Sequence, residues 1–298
     1  MQALWMLLAA FFFATMAVCV KIASQWFTSA ELVFWRGLIG MVLMWAWARS
    51  RGETLATRYP GMHAWRALVG VISLGAWFYA LAWLPLATAM TLNYMSSVWI
   101  AAFLVGGSLM AWNPRQGTPL RQGPLALTVV AGFVGVVMML RPTIEHDQLF
   151  AGIVGLLSGL VAAFAYMQVM ALGRLGEPES RTVFYFAVGS AAAGGVGMMF
   201  TGLGTGGLAH AIWLLPVGLL ASLGQLCMTR AYSHGATLVV ANLQYSGIVF
   251  GALYSLLLFG DRIALVGWAG MGLIVASGIA ATVLRSRAAP DAPAEEHS

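Results

Sequence analysis

Uncharged polar side chains recur at helical spacing within apolar stretches of this sequence. The longest such stripe falls at i, i+3, i+7 and i+10 and consists of Ser222, Gln225, Thr229 and Tyr232. This spacing places the side chains on one helical face, where they could hydrogen-bond a substrate or join neighbouring helices. The stripe as a whole favours a water-filled cavity more strongly than any single member does.

Two shorter polar pairs share a four-residue spacing, namely Asn93 with Ser97 and Asn242 with Ser246. Each pair puts two polar groups on one helical face. Gly247 and Gly251 lie beside the second pair and form a small-residue surface on which another helix can pack closely. Helix packing and the lining or gating of a cavity both explain these residues.

Several aromatic residues lie deep within apolar stretches and offer flat surfaces suited to a ring or an aliphatic chain of a ligand. They are Trp77, Tyr79, Trp99, Tyr166 and Tyr245. Lipid contact and core packing are alternative roles for each. We expect Tyr79, Trp99 and Tyr166 to be the foremost substrate contacts, because they fall at mid-depth in their stretches.

Arg36 is the one formal charge that this reading places clearly within an apolar stretch. It could bind a carboxylate or phosphate group of a ligand. Alternatively it extends toward the interface or pairs with Glu31, and we favour this second interpretation.

An intramembrane protease would need an Asp pair, a Ser with a His, or a His-Glu-x-x-His motif at depth. The sequence has none of them, so we expect no enzyme activity, no metal and no cofactor.

Composition defines the class of protein. Only 25 of the 298 residues are Lys, Arg, Asp or Glu, which is 8%, against about 25% in soluble domains. The mean hydropathy is +0.84. These values exclude a soluble protein and indicate a polytopic membrane protein. Nucleic-acid binding is not expected, because no Lys/Arg cluster is interleaved with exposed aromatic residues.

Charged, Pro-rich and Gly/Asn/Asp-rich breaks divide the chain into ten candidate spans of roughly the 20 apolar residues that one crossing needs. They cover residues 3–22, 30–48, 65–84, 87–111, 125–140, 150–171, 182–201, 211–232, 236–259 and 264–284. The polar tail 285–298 is expected to be disordered.

The distribution of cations predicts the orientation. With the N-terminus inside, eleven of the fifteen Lys and Arg residues lie in cytoplasmic segments, and Arg66 is counted among them. Three lie outside, Lys21, Arg141 and Arg262, and Arg36 lies within a span. This bias predicts a multi-pass protein of the inner (plasma) membrane with both termini cytoplasmic.

An internal repeat is visible when the sequence is shifted by 149 residues. The shift aligns Asn93 with Asn242 and Ser97 with Ser246. Each half contains five spans, so the second enters the membrane from the opposite side. The sequence therefore predicts an all-α membrane protein of two inverted five-helix repeats, 1–149 and 150–284. This construction is typical of carriers that work by alternating access around a site near the bilayer midplane.

The last span carries a family pattern. Phe259-Gly260-Asp261-Arg262-Ile263 is followed by Gly267, Gly272, Leu273, Ile274 and Gly278, and Arg36 lies in the context Phe34-Trp35-Arg36-Gly37. These stretches resemble the ten-helix, EamA-type branch of the drug/metabolite transporter superfamily. The chain departs from the pattern where Asp261 replaces a Glu, where Ala111-Trp112-Asn113 stands in place of an acidic-basic pair, and where Gln244-Tyr245 replaces Glu-Pro. The resemblance implies a basket-shaped bundle with a cavity lined by helices 1 to 4 and 6 to 9, and with helices 5 and 10 peripheral.

We therefore expect a secondary transporter in the lipid bilayer. Its small-molecule substrate would be an amphipathic metabolite, an amino acid or related compound, moved outward. An uptake carrier for a vitamin or nucleotide-like ring compound is an alternative, as is a non-transporting scaffold or scramblase. No Asp or Glu lies in the interior of a span, so the carboxylate relay of many proton- or sodium-driven carriers is missing. We expect transport that is facilitative, an exchange, or coupled without a buried carboxylate.

Overall fold

The computed structural model describes residues 2–96, 98–99, 102–103, 123–140, 148–207, 209–234, 240 and 243–288. Within these ranges the chain forms ten α-helices of eight or more residues and no strand. They are α1 Gln2–Ala23, α2 Ser29–Ser50, α3 Pro60–Trp83, α4 Leu86–Asn93, α5 Gly123–Leu140, α6 Leu149–Arg174, α7 Glu179–Thr201, α8 Leu214–His234, α9 Ser246–Leu258 and α10 Leu265–Ala288.

The all-helical prediction is confirmed for this part of the chain. Of the helices described, six are long and apolar enough to cross a membrane, namely α1, α2, α3, α6, α7 and α8. Helix α4 differs from its predicted span of 87–111, because it ends at Asn93 and a turn at Tyr94 and Met95 follows. Helix α9 begins only at Ser246, after a turn at Tyr245. Neither helix is the continuous rod that hydropathy alone suggested.

Two helix starts have consequences for the site. Thr28 and Glu31 form a capping box at the start of α2, in which each side chain accepts a hydrogen bond from the other residue's backbone N–H. Helix α3 starts at Pro60, a residue that is favoured in the first helical turn because it has no N–H to lose. The helix therefore begins five residues before the predicted span at 65, so Arg66 lies in the second turn of α3 and not at its first residues.

The helices pack in pairs: α1 with α8, α2 with α7, α3 with α6 and α5 with α10. Helices α2 and α7 touch backbone to backbone. A methyl group at Gly37 would overlap the backbone of Ala191, and one at Gly194 would overlap the backbone of Phe34. Such close approach requires glycine.

Helix α4 lies at the centre, with all eight of its residues buried. It packs on α6 and α9. Gly251 of α9 lies against Met90, and Gly247 lies against the hydroxyl of Tyr94, which confirms the small-residue surface expected on this helix. Helices α5 and α10 pack mainly on each other, in agreement with the peripheral position that the resemblance implied.

Candidate functional site

A cavity of about 60 Å³ lies inside the bundle and is lined by residues of α1, α2, α3, α6, α7 and α8 and by the end of α4. Its wall consists of Phe13, Met16, Arg36, Arg66, Gly70, Ser73, Leu74, Trp77, Asn93, Tyr94, Ala162, Ala165, Tyr166, Phe186 and Gln225. One water needs about 10–15 Å³ of such space. The cavity therefore has room for a few waters or for one small polar group, and its described wall includes no Asp or Glu.

Two arginines dominate this wall. Arg36 of α2 is 4% exposed and Arg66 of α3 is 3% exposed. The Cζ atoms of Arg36 and Arg66 lie 4.9 Å and 4.1 Å from the centroid of the Phe186 ring. Both guanidinium groups are thus in cation–π contact with a single side chain of α7.

Among the described residues, the hydrogen bonds of these arginines leave several donors without a partner. Arg36 Nη1 donates to Ser190 Oγ at 3.4 Å, and Arg66 Nη2 donates to Gln225 Oε1 at 3.3 Å. The Nε atoms of both arginines and Nη1 of Arg66 have no partner among the described residues. Burial of a charge is unfavourable unless the charge is paired and hydrogen-bonded. The cavity is therefore electropositive and suited to a negatively charged group.

Glycine at position 70 makes room for the Arg66 side chain. A Cβ atom at Gly70 would overlap Arg66 Nη1 and would lie 2.8 Å from the Phe186 ring. Arg66, Gly70, Ser73 and Trp77 recur at i, i+4, i+7 and i+11 on α3, so they share one face. This spacing is the sequence signal by which Arg66 could have been found, once Pro60 is taken as the start of the helix.

Neutral polar residues join three helices beside the arginines. Asn93 Nδ2 donates to Ser158 Oγ at 3.0 Å, and Ser73 Oγ donates to the Ser158 carbonyl at 2.8 Å. These contacts tie α6 to α3 and to α4. They explain the polar character of Asn93 through packing while its side chain also lines the cavity.

Five of the twelve candidate residues lie in the cavity wall, namely Arg36, Trp77, Asn93, Tyr166 and Gln225. Trp77 is 7% exposed, and its Nε1 has no partner in the described part of the chain. The Tyr166 ring is stacked on that of Tyr232 at 6.1 Å. The flat aromatic surface expected for a substrate is thus present beside the arginines.

The remaining candidates lie elsewhere. Thr229 is buried outside the cavity wall, Tyr245 packs with its hydroxyl against Gly278 of α10, and Ser246 Oγ donates to the Leu243 carbonyl. The Trp99 ring contacts Phe133 of α5 at 4.8 Å between centroids. Ser97 and Asn242 lie outside the described residues.

The favoured interpretation of Arg36 is wrong, since its side chain does not pair with Glu31. Glu31 is itself buried and accepts hydrogen bonds from the backbone N–H groups of Thr28 and Gly204, at 2.8 Å and 2.7 Å. Arg36 instead turns into the cavity. Arg36 is also not alone, because Arg66, which the cation count assigned to the cytoplasmic side, lies in the same wall.

One end of the bundle is closed by a polar cluster around Glu177, in the turn between α6 and α7. Glu177 Oε2 lies 3.1 Å from His63 Nε2, and Thr57 Oγ1 donates to Glu177 Oε1 at 3.2 Å. Arg181 Nη1 lies 3.1 Å from both carboxylate oxygens. Burial alone would raise the pKa of Glu177, but hydrogen bonds from His63 and Arg181 and the charge of Arg181 hold this pKa below its usual value.

The opposite end contains a larger cavity, of about 560 Å³. Its wall includes Lys21, Tyr79, Trp83 and Phe259, so Tyr79 lies here and not beside the arginines. Lys21 Nζ donates to the Leu84 carbonyl at 2.6 Å. The two ends of the bundle therefore differ, one being closed by charged contacts and the other indented.

A family model and curated relatives both point to membrane transporters. Residues 1–107 match the EamA-like transporter family. The pseudopaline exporter CntI of Pseudomonas aeruginosa is 32% identical over 275 residues, which cover 92% of this chain and 93% of that protein. An uncharacterized transporter of Helicobacter pylori is 26% identical over 282 residues, covering 92% and 91%. A protein crystal structure superposes with a TM-score of 0.66 at 16% identity, over 96% of this chain and 98% of that one, and this similarity concerns the fold alone.

Proposed function

We propose that this protein, which belongs to the EamA-like transporter family, exports a small amphipathic metabolite, an amino acid or related compound, by alternating access. It is a multi-pass membrane transporter and not an enzyme. One observation carries the proposal: a polar and aromatic cavity lies inside the bundle between helices of the two halves. The outward direction is supported by the similarity to a pseudopaline exporter.

The helix contacts support a division into two inverted repeats, 1–149 and 150–284. In such a protein each helix corresponds to the one five positions later. The contact of α1 with α8 then corresponds to that of α6 with α3, and the contact of α2 with α3 to that of α7 with α8. The pairs α2 with α7, α4 with α9 and α5 with α10 correspond to themselves. This pattern is what a two-fold relation between the halves requires.

The unequal ends support alternating access. We assign the Glu177 end to the cytoplasm and the end with the larger cavity to the exterior of the inner membrane. With Arg66 moved into α3, ten cations remain on the cytoplasmic side and three outside, so the positive-inside bias still favours this orientation. In this assignment the cavity is closed toward the cytoplasm by His63, Glu177 and Arg181.

Transport by purified protein in liposomes tests the proposal. Vesicles are loaded with a panel of labelled amino acids, their N-acylated derivatives and small carboxylic acids, and counterflow is measured. We expect saturable, counterflow-active transport of at least one compound. A matched measurement with fluorescent lipids tests the scramblase alternative. Lipid scrambling without saturable flux of any compound would overturn the proposal that the protein is a carrier.

A further inference from the structure

We propose that the substrate is an organic anion whose carboxylate binds between Arg36 and Arg66. This inference rests on the proposed function, because it assigns the chemical class of the compound that occupies the central cavity. It narrows the expected cargo from amino acids in general to compounds with a net negative charge.

Among the described residues, the two arginines have no negative partner of the kind that buried cations need. Both are at least 96% buried, and no carboxylate of a described residue forms a salt bridge with either. Three of their N–H donors are unfilled in the described part of the chain. An isolated buried charge is strongly destabilising unless it is paired. A ligand with a negative group would supply the missing charge.

The spacing of the two groups fits one carboxylate. Both Cζ atoms contact the Phe186 ring, at 4.9 Å and 4.1 Å from its centroid, so they are at most about 9 Å apart, the sum of the two distances. In an Arg–carboxylate pair the N–O distance is about 2.8 Å, which places the carboxyl carbon about 4 Å from Cζ. Because both side chains also line the same cavity, one carboxylate bound there is within reach of both guanidinium groups. The cavity volume of about 60 Å³ suits a group of that size.

The rest of the wall selects against positive charge. None of the residues described there carries a carboxylate that could pair with an ammonium group of a ligand. Asn93 and Gln225 offer neutral hydrogen bonds, and Trp77 and Tyr166 offer flat apolar surface. A simple zwitterionic amino acid would leave its ammonium group unpaired beside two cations. An acidic or N-acylated amino acid, or a dicarboxylate, matches the wall better.

The composition of spent medium tests this assignment. Bacterial cells expressing the wild-type chain or carrying an empty vector are grown in parallel, and their media are separated on a strong anion exchanger at pH 8. We expect compounds at least tenfold enriched by the wild-type chain to be retained by the exchanger. Arg36→Gln and Arg66→Gln should reduce this enrichment to the vector level. Arg58→Gln, at an exposed arginine outside the cavity, is the matched control and should leave it unchanged.

The outcomes separate this inference from the proposed function. Compounds that depend on the chain but appear only in the unretained fraction, and that Arg36→Gln and Arg66→Gln still export, would overturn the anion assignment while the exporter stands. If the export of no compound requires this protein and liposomes show no saturable flux, the proposed export function is wrong, and the anion assignment is wrong with it.

The variants Arg36→Lys and Arg66→Lys keep the test decisive if a glutamine variant fails to fold. Lysine keeps the positive charge but loses the two parallel hydrogen bonds of a guanidinium group. We expect the lysine variants to export the same retained compounds at a reduced rate. If a glutamine variant gives no monodisperse protein, the lysine variants decide the test. The anion site would be contradicted if both lysine variants export only unretained compounds, and do so at the wild-type rate.

Discussion

His63 and Arg66 lie one turn apart on α3 and belong to different sites. His63 lies 3.1 Å from Glu177 in the cluster that closes one end of the bundle, whereas Arg66 lines the central cavity. A ligand that draws Arg66 toward it therefore acts on the same helical turn that holds the closing contact. In the proposed alternating-access cycle, this short connection would couple occupancy of the cavity to opening of the closed end.

Glu177→Gln is expected to destabilise the protein by about 1–3 kcal/mol at pH 7, since buried partners lose their ionised acceptor. The pKa of Glu177 lies below its ordinary value of 4.5. Its contribution is therefore fully present above about pH 4.5 and is lost as the pH falls through the lowered pKa. Melting temperatures of the variant and the parent, measured from pH 8 to pH 3.5, should differ by a constant amount until the pH falls below about 4.5.

The measurement is best made in a His63→Gln background, so that the imidazole does not titrate in the same range. A difference in melting temperature that disappears already between pH 7 and pH 6 would contradict the assigned role of the carboxylate.

Gly70→Ala is expected to abolish most transport with little loss of stability. The added methyl group would overlap Arg66 Nη1 and press on the Phe186 ring, displacing the guanidinium group from the cavity. Gly75→Ala is the matched control on the same helix, because a Cβ atom there has no neighbour within 4 Å. Alanine is favoured over glycine in a helix by about 1 kcal/mol. Because the methyl group of Gly75→Ala contacts nothing and suits a helix, we expect wild-type flux for this variant. Equal flux in Gly70→Ala and Gly75→Ala would mean that Arg66 does not need the space at Gly70.

Arg66→Met is expected to leave the melting temperature of the unliganded protein unchanged or to raise it, although binding is lost. Replacing an unpaired buried charge by an apolar side chain of similar volume removes a desolvation penalty. Melting curves with and without succinate, with succinamide as the uncharged probe, test both parts. A large fall in melting temperature for Arg66→Met would indicate that Arg66 has a structural role instead.

Gly37→Ala is expected to destabilise the bundle by about 1–3 kcal/mol, because the methyl group would overlap the Ala191 backbone and force α2 away from α7. Gly272→Ala on α10 provides the control, since a Cβ atom there meets open space. Urea- or heat-induced unfolding of both variants in the same detergent gives the comparison. Equal stability would show that the contact between α2 and α7 can relax without loss.

The sequence predicted the order and class of the helices well, because long apolar runs and charged breaks are local signals. The start of α3 was missed because hydropathy begins the span at residue 65, whereas Pro60 begins the helix. The break at Tyr94 was missed because an apolar run does not show where backbone hydrogen bonding changes.

The site was predicted only in part. Arg36, Trp77, Asn93, Tyr166 and Gln225 were found because polar or aromatic residues stand out in apolar helices. The convergence of Arg36 and Arg66 on Phe186 was not, because it depends on how three helices rotate against one another. Backbone contacts such as that of Gly37 with Ala191 set that rotation, and they are not visible in helical periodicity.

The two cations of the cavity wall also bear on the energy source of transport. An empty carrier that changes its orientation moves these fixed charges through part of the membrane potential, which is worth about 2.3 kcal/mol per charge and 100 mV for a full crossing. An interior-negative potential therefore draws the empty carrier back toward the cytoplasm, whereas a bound dianion cancels the charge and frees the loaded carrier from this bias. Export of an anion could then run on the potential alone, without a proton or sodium site. Liposomes in which potassium and valinomycin impose the potential should show faster anion efflux when the interior is negative than when it is positive.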